Sequence, residues 1–568
     1  MKPLALLGAG ILVTAAMCSD GALTEPSSTK PPASSTSATT STTSTSTTSP
    51  PINITTTTST SAIAGDAACW ASPTVPSVGP VELEDATESL GLIDPLLGIH
   101  GHAAAWGDVN RDGWADLYVG TFADRPGQAY RQRGASGPSP DRFFWGGPNG
   151  FSVDASFPEM RGRASGAVFA DLDSDGTPEL VVAQNGGRSG TPATSVLDLE
   201  SGAWRRVELP VSLGARAVGV LDADGDGLLD LFITEDRWSG GSSRLLRNEG
   251  DLAFADVTHQ AGLPPDIHGL GVSTADLDGD GRPDIFVSGS NRLFVNRGGT
   301  FREVSSRVFD WEEFEEEDDV AGVAVADLNR DRRPDLVLGQ HFNSTVETNR
   351  SVPIRLYLNL GGEGEELEFA DVTEEAGLIA IPTKAPHVEI VDIDNDSWPD
   401  IVTSASAGDG TRPAIFMHQG LRNGIPYFQA PAGLGSDQHW VTGGAADADH
   451  DGRQDLFLVE WEPSLPSLML RNTTEGGHWL SIGAAGAGFG PGTVVDVYVE
   501  GSAGDPGALV GSRQVVLTTG YAAGILPVAH FGLGEHSAVD VVFTSPGGDS
   551  RVLVNVEADR HVELEGCQ

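Results

Sequence analysis

The nine-residue pattern D-x-[DN]-x-D-G-x-x-[DE] recurs seven times, starting at Asp108, Asp171, Asp222, Asp276, Asp327, Asp392 and Asp447. Start-to-start spacings of 63, 51, 54, 51, 65 and 55 residues mark a repeat array, in which each unit buries its apolar face against its neighbours. A Gly/Ala/Val-rich stretch precedes the loops, as at 269–275 and 322–326, and apolar runs such as Leu117-Tyr118-Val119, Leu231-Phe232-Ile233 and Leu456-Phe457-Leu458 follow them. These read as strands on either side of a loop. About four strands per repeat is the content of a propeller blade, so an all-β fold with a closed seven-bladed β-propeller is expected. An open solenoid is the alternative, and the repeats are too long and irregular for it. The segment F-x-D-V-T-x-x-A-G-L at 254–263 and 369–378 has a degraded copy at 83–92, ahead of the first loop. That copy predicts an N-terminal segment that completes a blade with later sequence.

The loop spacing carries chemistry. Oxygens at positions 1, 3 and 5 converge when a chain wraps a small sphere, Gly at position 6 permits the sharp turn, position 7 offers its carbonyl and the acid at position 9 closes the shell. This is a hard-cation site of the Ca²⁺ type, without the helix and twelfth-position Glu of an EF-hand. The candidate ligands are Asp108, Asn110, Asp112 and Asp116; Asp171, Asp173, Asp175 and Glu179; Asp222, Asp224, Asp226 and Asp230; Asp276, Asp278, Asp280 and Asp284; Asp327, Asn329, Asp331 and Asp335; Asp392, Asp394, Asp396 and Asp400; and Asp447, Asp449, Asp451 and Asp455. Up to seven Ca²⁺ ions are expected. Arg332 and Ser397 replace the glycine in the fifth and sixth loops, so these two are expected to bind more weakly, and the fifth, crowded by Arg330, Arg332 and Arg333, most weakly of all.

The loops account for 26 of the 80 acidic residues, and the net charge of −46 excludes nucleic acid and anionic lipid as partners. Residues 1–22 read as a secretory signal, with Cys18 a candidate lipidation site, and no other segment is apolar enough to span a bilayer. In the linker at 23–63, 25 of the 36 residues at 27–62 are Ser or Thr, a composition that forms no core and serves as a tether. In an exported chain the remaining cysteines, Cys69 and Cys567, are expected to form a disulfide.

The loops together with G-x-x-x-A-D-x-D-G-D-G-x-x-D-L resemble the FG-GAP/VCBS repeats of integrin α-type propellers. Residues 478–568 resemble an ASPIC/UnbV domain through His478-Trp479-Leu480, Arg513-Gln514, Gly520-Tyr521, His530-Phe531-Gly532-Leu533-Gly534 and Pro546-Gly547-Gly548. Ala522-Ala523 stand where that family usually has Ser-Gln, and Ser545 where it has Trp. The combination is similar to the cartilage-acidic-protein-like family, which implies secretion, Ca²⁺ and adhesion-like roles without a defined biochemical activity. The boundaries expected are a propeller at 64–477 and a small β-sandwich at 478–568, its strands read independently at 494–499, 515–518, 539–544 and 551–556.

No HExxH, GxSxG, phosphate-binding loop or dinucleotide motif occurs. Eight residues before the loops lie His100, Arg163, His268, Asp319, Lys384 and His439, with Gly214 in the seventh position. They form a candidate ligand ring at the channel mouth, away from the Ca²⁺ loops. The acidic stretch at 311–319 reads as a solvated face. The leading expectation is a monomeric, secreted or surface-tethered Ca²⁺-binding module for an extracellular protein or glycan. The alternative is an enzyme with its site at the channel mouth.

Overall fold

The computed structural model describes residues 69–71 and 79–564 apart from 187–192, 212, 237–240, 305–306, 310–317, 343–352, 363–365, 409, 462–465 and 485–488. The leader with Cys18, the linker, Cys567 and most of the acidic stretch lie outside the described residues. No helix among the described residues is long and apolar enough to cross a membrane.

The chain is all-β and propeller-like. Among the described residues, seven sheets each carry one of the seven loops. The third shows the plan: Ala215–Leu221, Asp230–Glu235, Arg244–Asn248 and Phe254–Asp256 pair antiparallel in chain order. The innermost strands are Gly101–Gly107, Ala164–Ala170, Ala215–Leu221, Gly269–Ala275, Asp318–Ala326, Val388–Val391 and Thr442–Ala446. Each neighbours the next, and the last neighbours the first. They are rich in small residues and buried on both faces, which explains why they read as continuous apolar runs instead of alternating. Each enters its loop and returns as the second strand.

The degraded N-terminal copy does close a sheet. Leu83–Asp85 pairs with Leu468–Asn472 as the outermost strand of the sheet that holds the seventh loop, so that sheet gains its fourth strand from the other end of the chain. The D-x-T element of the recurring segment has a local purpose. Asp85, Asp256 and Asp371 each accept from the backbone N–H and hydroxyl of Thr87, Thr258 and Thr373. Each threonine hydroxyl then accepts from a backbone N–H of the third strand: Met469 at 2.9 Å, Leu245 at 3.0 Å and Leu356 at 3.1 Å.

The C-terminal region is a sandwich of two four-stranded sheets. One orders Leu509–Gln514, Val494–Val499, Ala538–Thr544 and Ser550–Glu557; the other orders Trp70–Ala71, Arg560–Glu563, His478–Gly483 and Val528–Gly534. Leu480, Val495, Val497, Phe531, Val541 and Phe543 fill the core between them. Two segments cross the division expected at 477/478. Trp70–Ala71 precedes the repeats yet edges the C-terminal sheet, and Thr518–Thr519 with Ala523–Gly524 leaves the sandwich to join the sheet of the first repeat. Both cover strand edges that would otherwise be open.

Candidate metal centres and a plugged channel

The seven loops share one backbone conformation. Positions 4 and 6 have positive φ throughout, including the non-glycine residues Arg111, Ser174, Arg330, Asn395 and His450 at position 4. At position 6 the glycines lie at φ 84–90°, and Arg332 and Ser397 follow at 67° and 81°. Loss of glycine in the fifth and sixth loops therefore leaves the turn intact. In every loop the position-1 carboxylate accepts from the N–H of position 6, at 2.8–3.1 Å. The position-5 carboxylate accepts from the N–H of position 7, at 2.7–3.0 Å. The arginines of the fifth loop are held elsewhere. Arg332 pairs with Asp496 of the C-terminal sandwich at 2.6 Å, and Arg330 donates to Ser397 O at 2.8 Å with its guanidinium 3.5 Å from the Trp398 ring centre.

The ninth-position acids are buried, and one oxygen of each accepts from the N–H of position 2. In six of the seven, the other oxygen accepts from a backbone N–H beyond the sheet's second strand, as Gly146 donates to Asp116 and Asn248 to Asp230. Burial raises the carboxyl of Asp116 to about 8, that of Glu179 to about 8 and that of Asp230 to about 7, opposed by these N–H donors and reinforced by the neighbouring loop acids. Asp284, Asp335, Asp400 and Asp455 are raised well above the ordinary carboxylate value for the same first cause.

Carboxylate oxygens of Asp171, Asp173 and Glu179 lie within 4.8 Å of one another, as do those of Asp222, Asp224 and Asp230; Asp276, Asp278 and Asp284; Asp392, Asp394 and Asp400; and Asp447, Asp449 and Asp451. At position 1 of the second loop and position 3 of the seventh, Asp171 Oδ1 and Asp449 Oδ1 are buried and accept no hydrogen bond among the described residues. An all-oxygen, strongly anionic donor set with orphaned buried oxygens fits a hard divalent cation.

The C-terminal sandwich sits on this loop face, and the residues that carry its family resemblance are the ones that touch it. Trp479 packs against Gly452 of the seventh loop, and His530 Nε2 lies 3.1 Å from Gly452 O. Gly534 N donates to Asn395 O at 2.9 Å, and Gln514 Oε1 accepts from Asp276 N at 2.9 Å. Arg513 stands in the field of both Asp327 and Asp392, with which it lines a small cavity. Four rings stack between the first loop, the seventh loop and the two chain ends: Trp114 on His450 at 3.9 Å, His450 on Trp70 at 4.0 Å and Trp70 on His561 at 3.9 Å.

From the sandwich the segment 515–526 enters the channel. Ala523 and Gly524 pair parallel with Ala104 and Ala105, Gly520 pairs with Val323, and Tyr521 N donates to His387 Nδ1 at 3.2 Å. Thr442 Oγ1 donates to Tyr521 O, and the Tyr521 hydroxyl lies 3.3 Å from His102 Nε2. Ala167, Gly271 and Gly322 of further inner strands also abut it.

The six ring positions all stand at or near the start of their innermost strands, the end opposite the loops. Lys384 and His439 are electrostatic neighbours, and burial first and Lys384 second lower the His439 imidazole to about 3. Arg163 pairs with Asp124 at 3.5 Å, His268 lies in the field of Asp266, and the Asp319 side chain is outside the described residues. His100 is 3 % exposed against Trp461 and lines a cavity of 340 Å³ where the first and last repeats meet.

Sequence reasoning passed over an asparagine staple. Asn248, Asn296, Asn359 and Asn472 each donate from Nδ2 to a carbonyl of an earlier repeat's loop: Leu172 O, Ala223 O, Leu277 O and Ile393 O, at 2.7–2.9 Å. His418 takes the same place, with Nε2 3.2 Å from Leu328 O. The signal was present as an Asn closing the apolar third strand in Leu245-Leu246-Arg247-Asn248, Leu293-Phe294-Val295-Asn296 and Leu356-Tyr357-Leu358-Asn359.

Residues 108–182 and 222–287 match the FG-GAP-like repeat, and residues 483–566 match ASPIC and UnbV. The chain is 28 % identical to cartilage acidic protein 1 of Homo sapiens over 443 residues, which is 72 % of this chain and 64 % of that protein. The chain thus spans just under two thirds of the length of that relative. It is 32 % identical to integrin alpha-4 of Xenopus laevis over 106 residues, 18 % of this chain and 10 % of that one. Among solved structures, the exotype rhamnogalacturonan lyase YesX aligns with a TM-score of 0.38 at 15 % identity, covering 72 % of this chain and 75 % of that one.

Proposed function

Because the chain joins FG-GAP-like repeats to an ASPIC and UnbV domain, we propose that it is an extracellular Ca²⁺-binding module that presents a rigid body to a partner protein or glycan. The observation that carries this reading is the uniform backbone of seven carboxylate loops with orphaned oxygens at Asp171 and Asp449. On this reading the ions hold the loops, and the loops hold the C-terminal sandwich. The 1–22 leader exports the chain, and lipidation at Cys18 or release leaves it tethered or free. Ions that bind the native loops and not the unfolded chain add about 2.7 kcal/mol per site at 100-fold over Kd. Melting the full chain with Ca²⁺, with Mg²⁺ and with excess EGTA tests it. Ca²⁺ raises Tm and Mg²⁺ rescues poorly because it dehydrates reluctantly. An unchanged melt in EGTA would overturn the reading. Capture of envelope and extracellular material with and without chelator then addresses the partner.

A Cys69–Cys567 disulfide belongs to the same proposal. Cys69 N donates to His561 O at 3.0 Å, which sets it beside the strand Arg560–Glu563, and His561 stands six residues ahead of Cys567 in the sequence. Non-reducing peptide mapping checks it, and two free thiols in exported protein would exclude it.

A further inference from the structure

We propose that the cavity at the junction of the first and last repeats binds an acidic sugar, its carboxylate on Arg125 and its ring against Trp461. The cavity measures 340 Å³ and is lined by His100, Arg125, Gln128, Gln132 and Trp461. That is near the lower end of the range for small-molecule sites, about 300–1,000 Å³.

Three features mark it as built. The Arg125 backbone N–H donates to Tyr130 Oη at 3.0 Å, which fixes the start of the short turn that carries Gln128 and Gln132. Its guanidinium lies 4.5 Å from the Trp461 ring centre, and its Nε is buried without an acceptor. The second cation nearby, Arg133, is already paired with the buried Glu460, Nη2 to Oε1 3.0 Å. Among the described residues lining the cavity, Arg125 is thus the cation left to meet an anion, in a chain whose net charge is −46. His100 is 3 % exposed, and its Nδ1 has no partner. Burial, then Arg133 and Arg125, hold its imidazole neutral, lowered to about 3, so it offers a hydrogen bond without charge. A planar guanidinium suits a carboxylate, two exposed amides suit hydroxyls, and an indole suits the apolar face of a pyranose. A simple inorganic anion would use none of the last three.

This deepens the binding-module reading and rests on it. Calorimetric titration of the full chain in Ca²⁺ with D-glucuronate tests it, against D-glucose and acetate. Glucuronate binds saturably at about millimolar Kd, the strength expected of a ligand of this size. Glucose and acetate bind at least about tenfold more weakly, and Arg125→Gln loses about tenfold with an unchanged melt. Should that variant fail to fold, Gln128→Ala and Gln132→Ala, at exposed positions, weaken binding in its place. Absence of saturable glucuronate binding, acetate binding as tightly as glucuronate, or full affinity in the folded variants would overturn the assignment. None of these outcomes bears on Ca²⁺-dependent stability, which the melts read separately.

Discussion

Gly520 and Val323 exchange both backbone hydrogen bonds, Gly520 N to Val323 O at 2.8 Å and Val323 N to Gly520 O at 3.1 Å, joining the C-terminal sandwich to the innermost strand of the fifth repeat. Gly520 has φ +55°, and a Cβ there would lie 2.3 Å from His387 Nδ1 and 2.4 Å from Val388 O. Gly520→Ala is therefore expected to expel the segment 515–526 and destabilise the chain by about 2–4 kcal/mol, combining overpacking with a left-handed backbone. Proteolysis within that segment, absent in the parent, is the readout; equal resistance would contradict the plug.

Arg513 offsets the charges of Asp327 and Asp392 across the domain contact. Replacing it by Met removes the buried guanidinium from the field of both loops, at an expected cost of about 0.5–3 kcal/mol. A bound cation neutralises the same acids. The Tm loss of Arg513→Met should accordingly be larger in EGTA than in Ca²⁺, and equal losses in both would show that the contact and the ions are independent.

The pH dependence has opposite signs for the two kinds of buried group. Asp276 and Asp327, raised to about 6, Asp230 and Asp447, raised to about 7, and Asp116 and Glu179, raised to about 8, bind protons more tightly in the folded metal-free chain than in the unfolded one. Their contribution is complete below about pH 4 and is lost as pH rises through about 6–8. His100 and His439, lowered to about 3, and His418 and His530, lowered to about 4, contribute stability that is lost as pH falls below about 6.5. None of the four histidines lies in a loop, so the difference between the Ca²⁺-bound and the metal-free chain is dominated by the acids. The Ca²⁺-induced gain in urea midpoint therefore isolates the carboxylates, and it should grow from pH 5 to pH 8. A constant gain would count against cation binding at these acids.

Asn248 is 1 % exposed and donates to Leu172 O at 2.7 Å and to Leu229 O at 3.1 Å. Asn248→Ala strands both carbonyls and should cost about 1–3 kcal/mol in urea denaturation. A change below about 0.5 kcal/mol would mean that the repeats are held by apolar packing alone.

Sequence alone determined the repeat unit, the seven carboxylate loops and the closing strand at Leu83–Asp85, because each is written within a few residues and recurs. Even the glycine losses at Arg332 and Ser397 were visible, although their consequence was not: the turn persists, and Arg332 turns outward to Asp496. Only the tertiary structure decided what fills the channel, what the C-terminal signature residues are for, and that His100 faces a cavity while Lys384 and His439 neighbour each other. Tyr521 meets His102 across 419 residues of chain, and Trp70 stacks between His450 and His561. Periodicity reports which face of a strand is buried and which loop turns. It carries no record of which distant side chain arrives there, since that is set by how seven sheets and a sandwich pack together.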